Sequence, residues 1–293
     1  PTAATVPKAE PRARDVSREL FDAMQSPLPV SGLAFSVSAI AFSAGATDSV
    51  ALIVELDPSR LSFTERGGVF RTDVELQVNA IEIGSGKRSA THHLAQLRLG
   101  KESYARVQQQ GLRITRRVDL PPGRYRLHVG ARDTTSGAVG TVLSDFDAPE
   151  FTGARLAMSG LAIASAAGTR MLTADEDTAL AARLPGAPTN LRVFPSNDTL
   201  AVFAEVYGHD DALPATLSVR TTIAAADGSI AWRTVDDRQP DAARRAGLRT
   251  WSHVMKIPIA GLAPGHYVLQ VDAGVSPQQP PLVSRSLEFD VVR

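Results

Sequence analysis

The sequence predicts an all-β protein built as two tandem β-sandwiches behind a short N-terminal helix, and three observations carry that expectation. Apolar and polar residues alternate over short runs separated by Gly, Pro and Ser turns. Three pieces of the first half recur in the same order in the second. The length of 293 residues suits two separate cores, at ~100–150 residues per domain, better than it suits one.

Pro1–Arg14 is Pro/Ala-rich with mixed charge and lacks the apolar stretch of a signal peptide. With no initiator Met, the chain reads as a fragment of a longer precursor. Val16, Leu20, Phe21 and Met24 then recur at helical spacing, with Asp15 as N-cap and Pro27 as stop. From Leu33 the period changes to two: Leu33, Phe35 and Val37, then Val50, Leu52 and Val54. Further strands are predicted at Val69–Ile83, with a bulge before Ile81, and at His93–Leu99, Leu112–Val118, Arg124–Arg132 and Gly140–Asp147. Gly84–Lys87, Pro121–Gly123 and Thr135–Gly137 supply the turns between them.

The repeat sets the second half. Ser31-Gly32-Leu33 is echoed by Ser159-Gly160-Leu161, Val50–Glu55 by Leu200–Glu205, and Leu120–Val129 by Leu262–Val271. The spacing between matched pieces grows, which places an insertion at Thr169–Asn190. Its Asp175-Glu176-Asp177 and Pro185–Pro188 composition predicts a surface loop. The remaining strands of the second copy are Leu217–Ala225, Ile230–Val235 after a turn at Asp227-Gly228, Trp251–Ile257 and Leu282–Val291. The duplicated Leu-x-Pro-Gly-x-Tyr element predicts that Tyr125 and Tyr267 point inward and tie their hydroxyls to nearby backbone. Such a turn precedes a late strand in immunoglobulin-like and fibronectin type III-like sandwiches, so the fold class is refined to two sandwiches of that kind. The expected division is 1–27 for the lead and helix, 28–152 for the first sandwich and 153–293 for the second. The copies meet at Asp147–Phe151 without a long linker, which predicts sandwiches set end to end with restricted hinge motion.

Lys plus Arg equals Asp plus Glu at 31 each, which removes a general electrostatic drive toward nucleic acid or an anionic membrane. Arg113, Arg116, Arg117, Arg124 and Arg126 read as the solvent face of strands. No cysteine is present, so disulfides, thiolate metal sites and cysteine nucleophiles are excluded. No run of about 20 apolar residues occurs, so no membrane span is predicted.

A search for chemistry yields little, and neither cofactor nor enzymatic activity is expected. Gly84-Ser85-Gly86-Lys87 is no phosphate loop, because the first glycine would fall at Ile81 and Arg88 replaces the hydroxyl residue. No Gly-x-Ser-x-Gly nucleophile elbow is present. His92 and His93 are adjacent on a strand and point to opposite faces, which disfavours a shared metal. His209-Asp210-Asp211 and Asp175-Glu176-Asp177 offer oxygen ligands for calcium but lack the Gly-bearing spacing of a known loop; solvated turns are expected, with a weak calcium site left open. Glu55 and Glu205 hold matched positions and are expected in different cores, not across one cleft. Trp232 and Trp251 are the candidate ligand-binding residues, as a carbohydrate platform, although one or two Trp are also the ordinary core complement of a sandwich.

With these residues assembled, nearly the whole chain resembles the C-terminal region of secreted bacterial von Willebrand factor A-related proteins of the Acidobacteria type. The resemblance rests on Ser26–Leu33, Leu120–Tyr125, Gly140-Thr141-Val142, Pro149–Phe151 and Met158–Leu161. It implies an extracellular, cell-surface or periplasmic setting and an upstream von Willebrand A domain in the precursor. It also implies a non-catalytic structural role with a protein partner or self-association through exposed sandwich edges. The metal-adhesion signature of the A domain, Asp-x-Ser-x-Ser, is absent, and Asp57–Ser62 has the wrong spacing, so metal-dependent adhesion is not carried over. A carbohydrate-binding accessory module is the alternative expectation.

Overall fold

The computed structural model describes residues 16–43, 48–208, 213–242, 244 and 247–293. The predicted helix is present as α1 (Arg18–Gln25), but its N-cap is Ser17, whose hydroxyl accepts from the Leu20 amide; Asp15 lies outside the described residues. Leu20, Ala23 and Met24 are buried against the first sandwich, whereas Phe21 faces solvent at 55% exposure. Gly130 makes the socket, since a Cβ there would stand 2.5 Å from the Met24 sulfur.

The first sandwich comprises β1 (Phe35–Ser43), β2 (Asp48–Leu56), β3 (Thr64–Arg66), β4 (Val69–Glu82), β5 (Arg88–Leu99), α2 (Lys101–Gln110), β6 (Leu112–Asp119), β7 (Gly123–Asp133) and β8 (Val139–Ala148). One sheet runs β1-β2-β6; the other runs β5-β4-β7-β8, with β3 a short flap on β4. β4 keeps one register against both β5 and β7, so the bulge expected before Ile81 does not form, and Ile83 lies beyond the strand. Helix α2 escapes the sequence pattern because only Val107 is buried; Tyr104 adds a stacked ring on Phe70 at 3.9 Å.

The second half contributes β9 (Leu156–Met158), β10 (Ala162–Ser165), α3 (Ala166–Thr169), β11 (Leu172–Ala174), α4 (Thr178–Ala181), β12 (Val193–Pro195), β13 (Thr199–Gly208), β14 (Leu217–Ala225), β15 (Ile230–Arg238), β16 (Arg249–Pro258), β17 (Gly265–Gly274) and β18 (Val283–Val292). Its sheets run β10-β13-β16, with β9 also on β13, and β15-β14-β17-β18-β12. The strand order β1-β2-β6 over β5-β4-β7-β8 is thus repeated as β10-β13-β16 over β15-β14-β17-β18. Both tyrosine corners form: the Tyr125 hydroxyl donates to the Pro121 carbonyl at 2.8 Å and that of Tyr267 to Ala263 at 2.7 Å.

The sandwiches are docked face to face, which corrects the end-to-end expectation. Ile40, Phe42, Ala51 and Ile53 point out of the first sandwich and pack on Ala162, Leu180 and Phe203. The Tyr207 hydroxyl accepts from the Ser43 amide at 3.2 Å. The Gly160 amide donates to the Ala41 carbonyl at 3.1 Å, and a Cβ there would stand 2.9 Å from Ile40 Cγ2. Each large apolar side chain buried in this seam contributes roughly 1.5–3 kcal/mol, so separating the copies costs far more than bending a linker.

The insertion is no surface loop. β11 leaves the second copy and pairs in parallel with β6 of the first, Leu172 opposite Leu112 and Ala174 opposite Ile114. Downstream, the Thr189 hydroxyl and the Asn190 amide donate to Glu55 at 2.9 and 3.0 Å. Glu55 also takes a forked pair from Arg113, Nε at 3.0 Å and Nη2 at 2.9 Å, and Arg113 Nη2 reaches the Gly168 carbonyl at 2.8 Å. Arg113 is fully buried, which overturns its assignment to a solvent face; Arg117, Arg124 and Arg126 do lie outward, with carboxylate partners. Glu205 likewise points out of its own sandwich, pairing with the Tyr207 hydroxyl and, at 3.6 Å, with Arg183. The two carboxylates therefore sit on the outward faces at the seam, not in separate cores, and both are engaged in structural bonds.

Candidate ligand cleft

Because both copies share one strand order, their side chains can be compared position by position. Leu127 and Leu269 each lie two residues after the corner tyrosine and pair with Ala80 and Ile223. Ala80 in turn faces Ser89 on β5, whereas Ile223 faces Trp232 on β15. On the other sheet, counting back from Glu55 and Glu205, Leu52 faces Arg116 and Val202 faces Met255. Trp232 and Met255 pack on the core of the second sandwich. Ser89 and Arg116 stand where those two fillers would be, and the first sandwich is open along this side.

The opening is a cleft of about 790 Å³, within the usual ~300–1,000 Å³ of ligand sites. Leu52, Val54, Leu76, Val78 and Val118 form its apolar floor, and Thr91, His93, Arg116 and Asp175 its polar rim. Asp175 reaches the rim because of its backbone. It is the one non-glycine residue with positive φ among those described, at 52°, and it turns the chain out of the sheet immediately after β11. Aspartate tolerates this left-handed conformation better than most side chains. Its carboxylate meets His93 Nε2 at 2.5 Å and pairs with the Arg116 guanidinium, which also contacts His93. Burial pulls the Arg116 guanidinium below its ordinary range, with Asp175 and Asp177 opposing that shift. Its Nε–H is buried and has no acceptor among the described residues.

Where β11 stops, no strand among the described residues lies beside the outer edge of β6 from Thr115 to Asp119, and among them β5 pairs with β4 alone. The cleft is thus bounded by two backbone edges. His92, on the opposite face of β5 as strand geometry requires, bonds Glu75 at 3.0 Å beneath the start of α1.

The second copy closes the same side. Trp232 is half-buried there, and Trp251 is fully buried, with its indole N–H donating to the Ala215 carbonyl at 2.9 Å and Arg249 stacked on its ring at 4.9 Å. Trp251 offers no face to a ligand. Arg238 donates across the opening to the Val254 carbonyl at 3.2 Å. At the position of Ile114 stands His253, fully buried with Nε2 2.9 Å from the Thr221 hydroxyl. Burial, reinforced by Arg238 and opposed by Asp236, lowers its pKa from 6.5 to about 4. The unfolded chain therefore takes up a proton at pH values where the native state refuses it. Stability from this group is complete above pH 6.5 and drains away down to about pH 4, by on the order of 3 kcal/mol in total. Urea unfolding at pH 7.5 and 4.5 should show that slope, and His253→Gln should flatten it; an unchanged slope would contradict the assignment.

Of the acidic clusters, Asp175 and Asp177 serve as ion-pair and capping groups, Asp177 accepting from the Leu180 amide at 2.9 Å. His209-Asp210-Asp211 lies outside the described residues. The cleft itself went unpredicted, although a trace of it is in the sequence: in Leu112, Ile114, Arg116, Val118 the arginine falls on the inward phase of the alternation.

No protein-family model and no curated protein sequence matches the chain. Among solved structures, it is similar to Bacteroides uniformis β-glucuronidase 2 covalently bound to cyclophellitol-6-carboxylate aziridine, at 11% identity over 83% of this chain and 26% of that one, with TM-score 0.28. It is likewise similar to another crystal structure of Bacteroides uniformis β-glucuronidase, at 10% identity, 83% and 26% coverage and TM-score 0.27. The chain spans about a quarter of the length of each. No helix among the described residues is long and apolar enough to cross a membrane.

Proposed function

We propose that this chain is a non-catalytic protein-binding module, a rigid pair of sandwiches that holds a partner by strand addition at an exposed sheet edge. The secreted or surface setting implied by the resemblance is part of the same proposal. The observation that carries it is the bare backbone flanking the cleft, on β5 and on β6 beyond Ile114. Unpaired N–H and C=O groups in a row are a template for another strand. The edge of the second copy is blunted by comparison, with Arg233, Asp236, Asp237 and Arg238 along β15 and Arg238 reaching to Val254.

Selection of a displayed random-peptide library on the whole purified chain, together with sedimentation to detect self-association, tests the reading. Proline placed in turn along Arg88–Gln96 and along Thr115–Asp119 should abolish the association on whichever edge carries it, at the alternate positions whose N–H points outward, with circular dichroism unchanged. A chain that neither self-associates nor selects any peptide refutes the proposal.

A further inference from the structure

We infer that the partner seated at the cleft is an extended peptide segment with apolar side chains at alternate positions, which continues the β1-β2-β6 sheet beyond Asp175. The inference rests on the protein-binding reading above and adds to it the place and the chemistry of the bound segment. The protein shows the mode on itself. β11 lies parallel along β6, with Leu172 and Ala174 packed on the core and Thr173 between them turned to Arg113. The left-handed Asp175 ends that strand after three residue pairs; the segment beyond it covers Thr115, whose hydroxyl accepts from the Asp177 amide at 2.9 Å, and, among the described residues, leaves the edge of Arg116–Asp119 without a strand over the apolar floor. A second strand laid there would drop every other side chain, ~7 Å apart, between Leu52, Val78 and Val118. Its backbone groups would pair along the open edge of β6. An acyl chain fills the same floor but carries polar atoms at one end only, and leaves the β6 edge unsatisfied. The duplicate supplies the contrast, since its equivalent space is filled by its own Trp232 and Met255.

Synthetic versions of the selected peptides, titrated into the whole chain by calorimetry, decide the matter. The expected peptides carry apolar residues with period two and slow hydrogen exchange at Thr115–Asp119. Thr91→Trp, which fills the cleft from its exposed rim, should weaken them at least about 10-fold, whereas Gln109→Trp on α2 should not. Should Thr91→Trp fold poorly, the double variant Ser89→Trp with Arg116→Met, which copies the second sandwich, serves in its place and should show the same loss. Peptides that bind without alternation, that are indifferent to both cleft variants, or that protect β15 instead overturn this inference while leaving the protein-binding reading intact. Selection of no peptide, with saturable uptake of dodecanoate that Thr91→Trp abolishes, overturns both in favour of an acyl ligand.

Discussion

Glu55→Ala is expected to destabilise the protein by about 3–5 kcal/mol, the range for removing one partner of a buried ion pair. Glu55 is 6% exposed and Arg113 not at all, so the guanidinium left behind keeps its desolvation cost without its charge partner. The Thr189 hydroxyl and the Asn190 amide lose their acceptor in the same step. These groups tie the first sandwich to the segment that returns to the second, so the loss should appear in a single shared transition rather than in one domain. Replacing both ends of the pair, Glu55→Leu with Arg113→Met, should recover most of the stability, because an apolar pair of similar volume has no unpaired charge. Urea unfolding of Glu55→Ala, of Arg113→Met alone and of the double variant checks this. Equal losses in all three would mean that packing at the site, not charge, sets its stability.

Trp251→Ala is expected to cost a similar ~3–5 kcal/mol, the toll of deleting a buried indole from a core. The ring is enclosed by the second sandwich, and its N–H satisfies the Ala215 carbonyl. The result bears on the carbohydrate-binding alternative as well. A glycan array should show no binding that depends on Trp251 in protein that remains folded. Trp232, half-buried on β15, is then the one tryptophan left to that alternative, and Trp232→Ala on the same array is its test. Sugar binding retained by wild type and lost in a folded Trp251→Ala variant would contradict the buried placement.

Features fixed by neighbours in the chain were legible. The Leu-x-Pro-Gly-x-Tyr element makes its own hydrogen bond four residues back, so Tyr125 and Tyr267 land as expected. Period-two runs placed most strands, and the repeated order of motifs anticipated the repeated order of sheets. Helix α2 was missed because a helix that buries one side chain carries almost no periodic signal. The docking mode left a fainter trace. Val50-Ala51-Leu52-Ile53-Val54 and Ala201-Val202-Phe203-Ala204 are apolar on both phases, as strands covered on both faces are, and such runs belong in the middle layers of stacked sheets.

By itself, then, the sequence determined the two sandwiches, their duplication and the orientation of most strand side chains, since alternation and turn chemistry act over a few residues. Only the tertiary structure decided that the copies meet face to face and that the insertion binds the first sandwich through β11, Thr189 and Asn190. It alone decided that Asp175 meets Arg116 and His93 at the mouth of an open cleft. Those contacts join residues from 59 to 164 positions apart along the chain. They depend on which outward faces are complementary in shape and charge, and no local pattern encodes that.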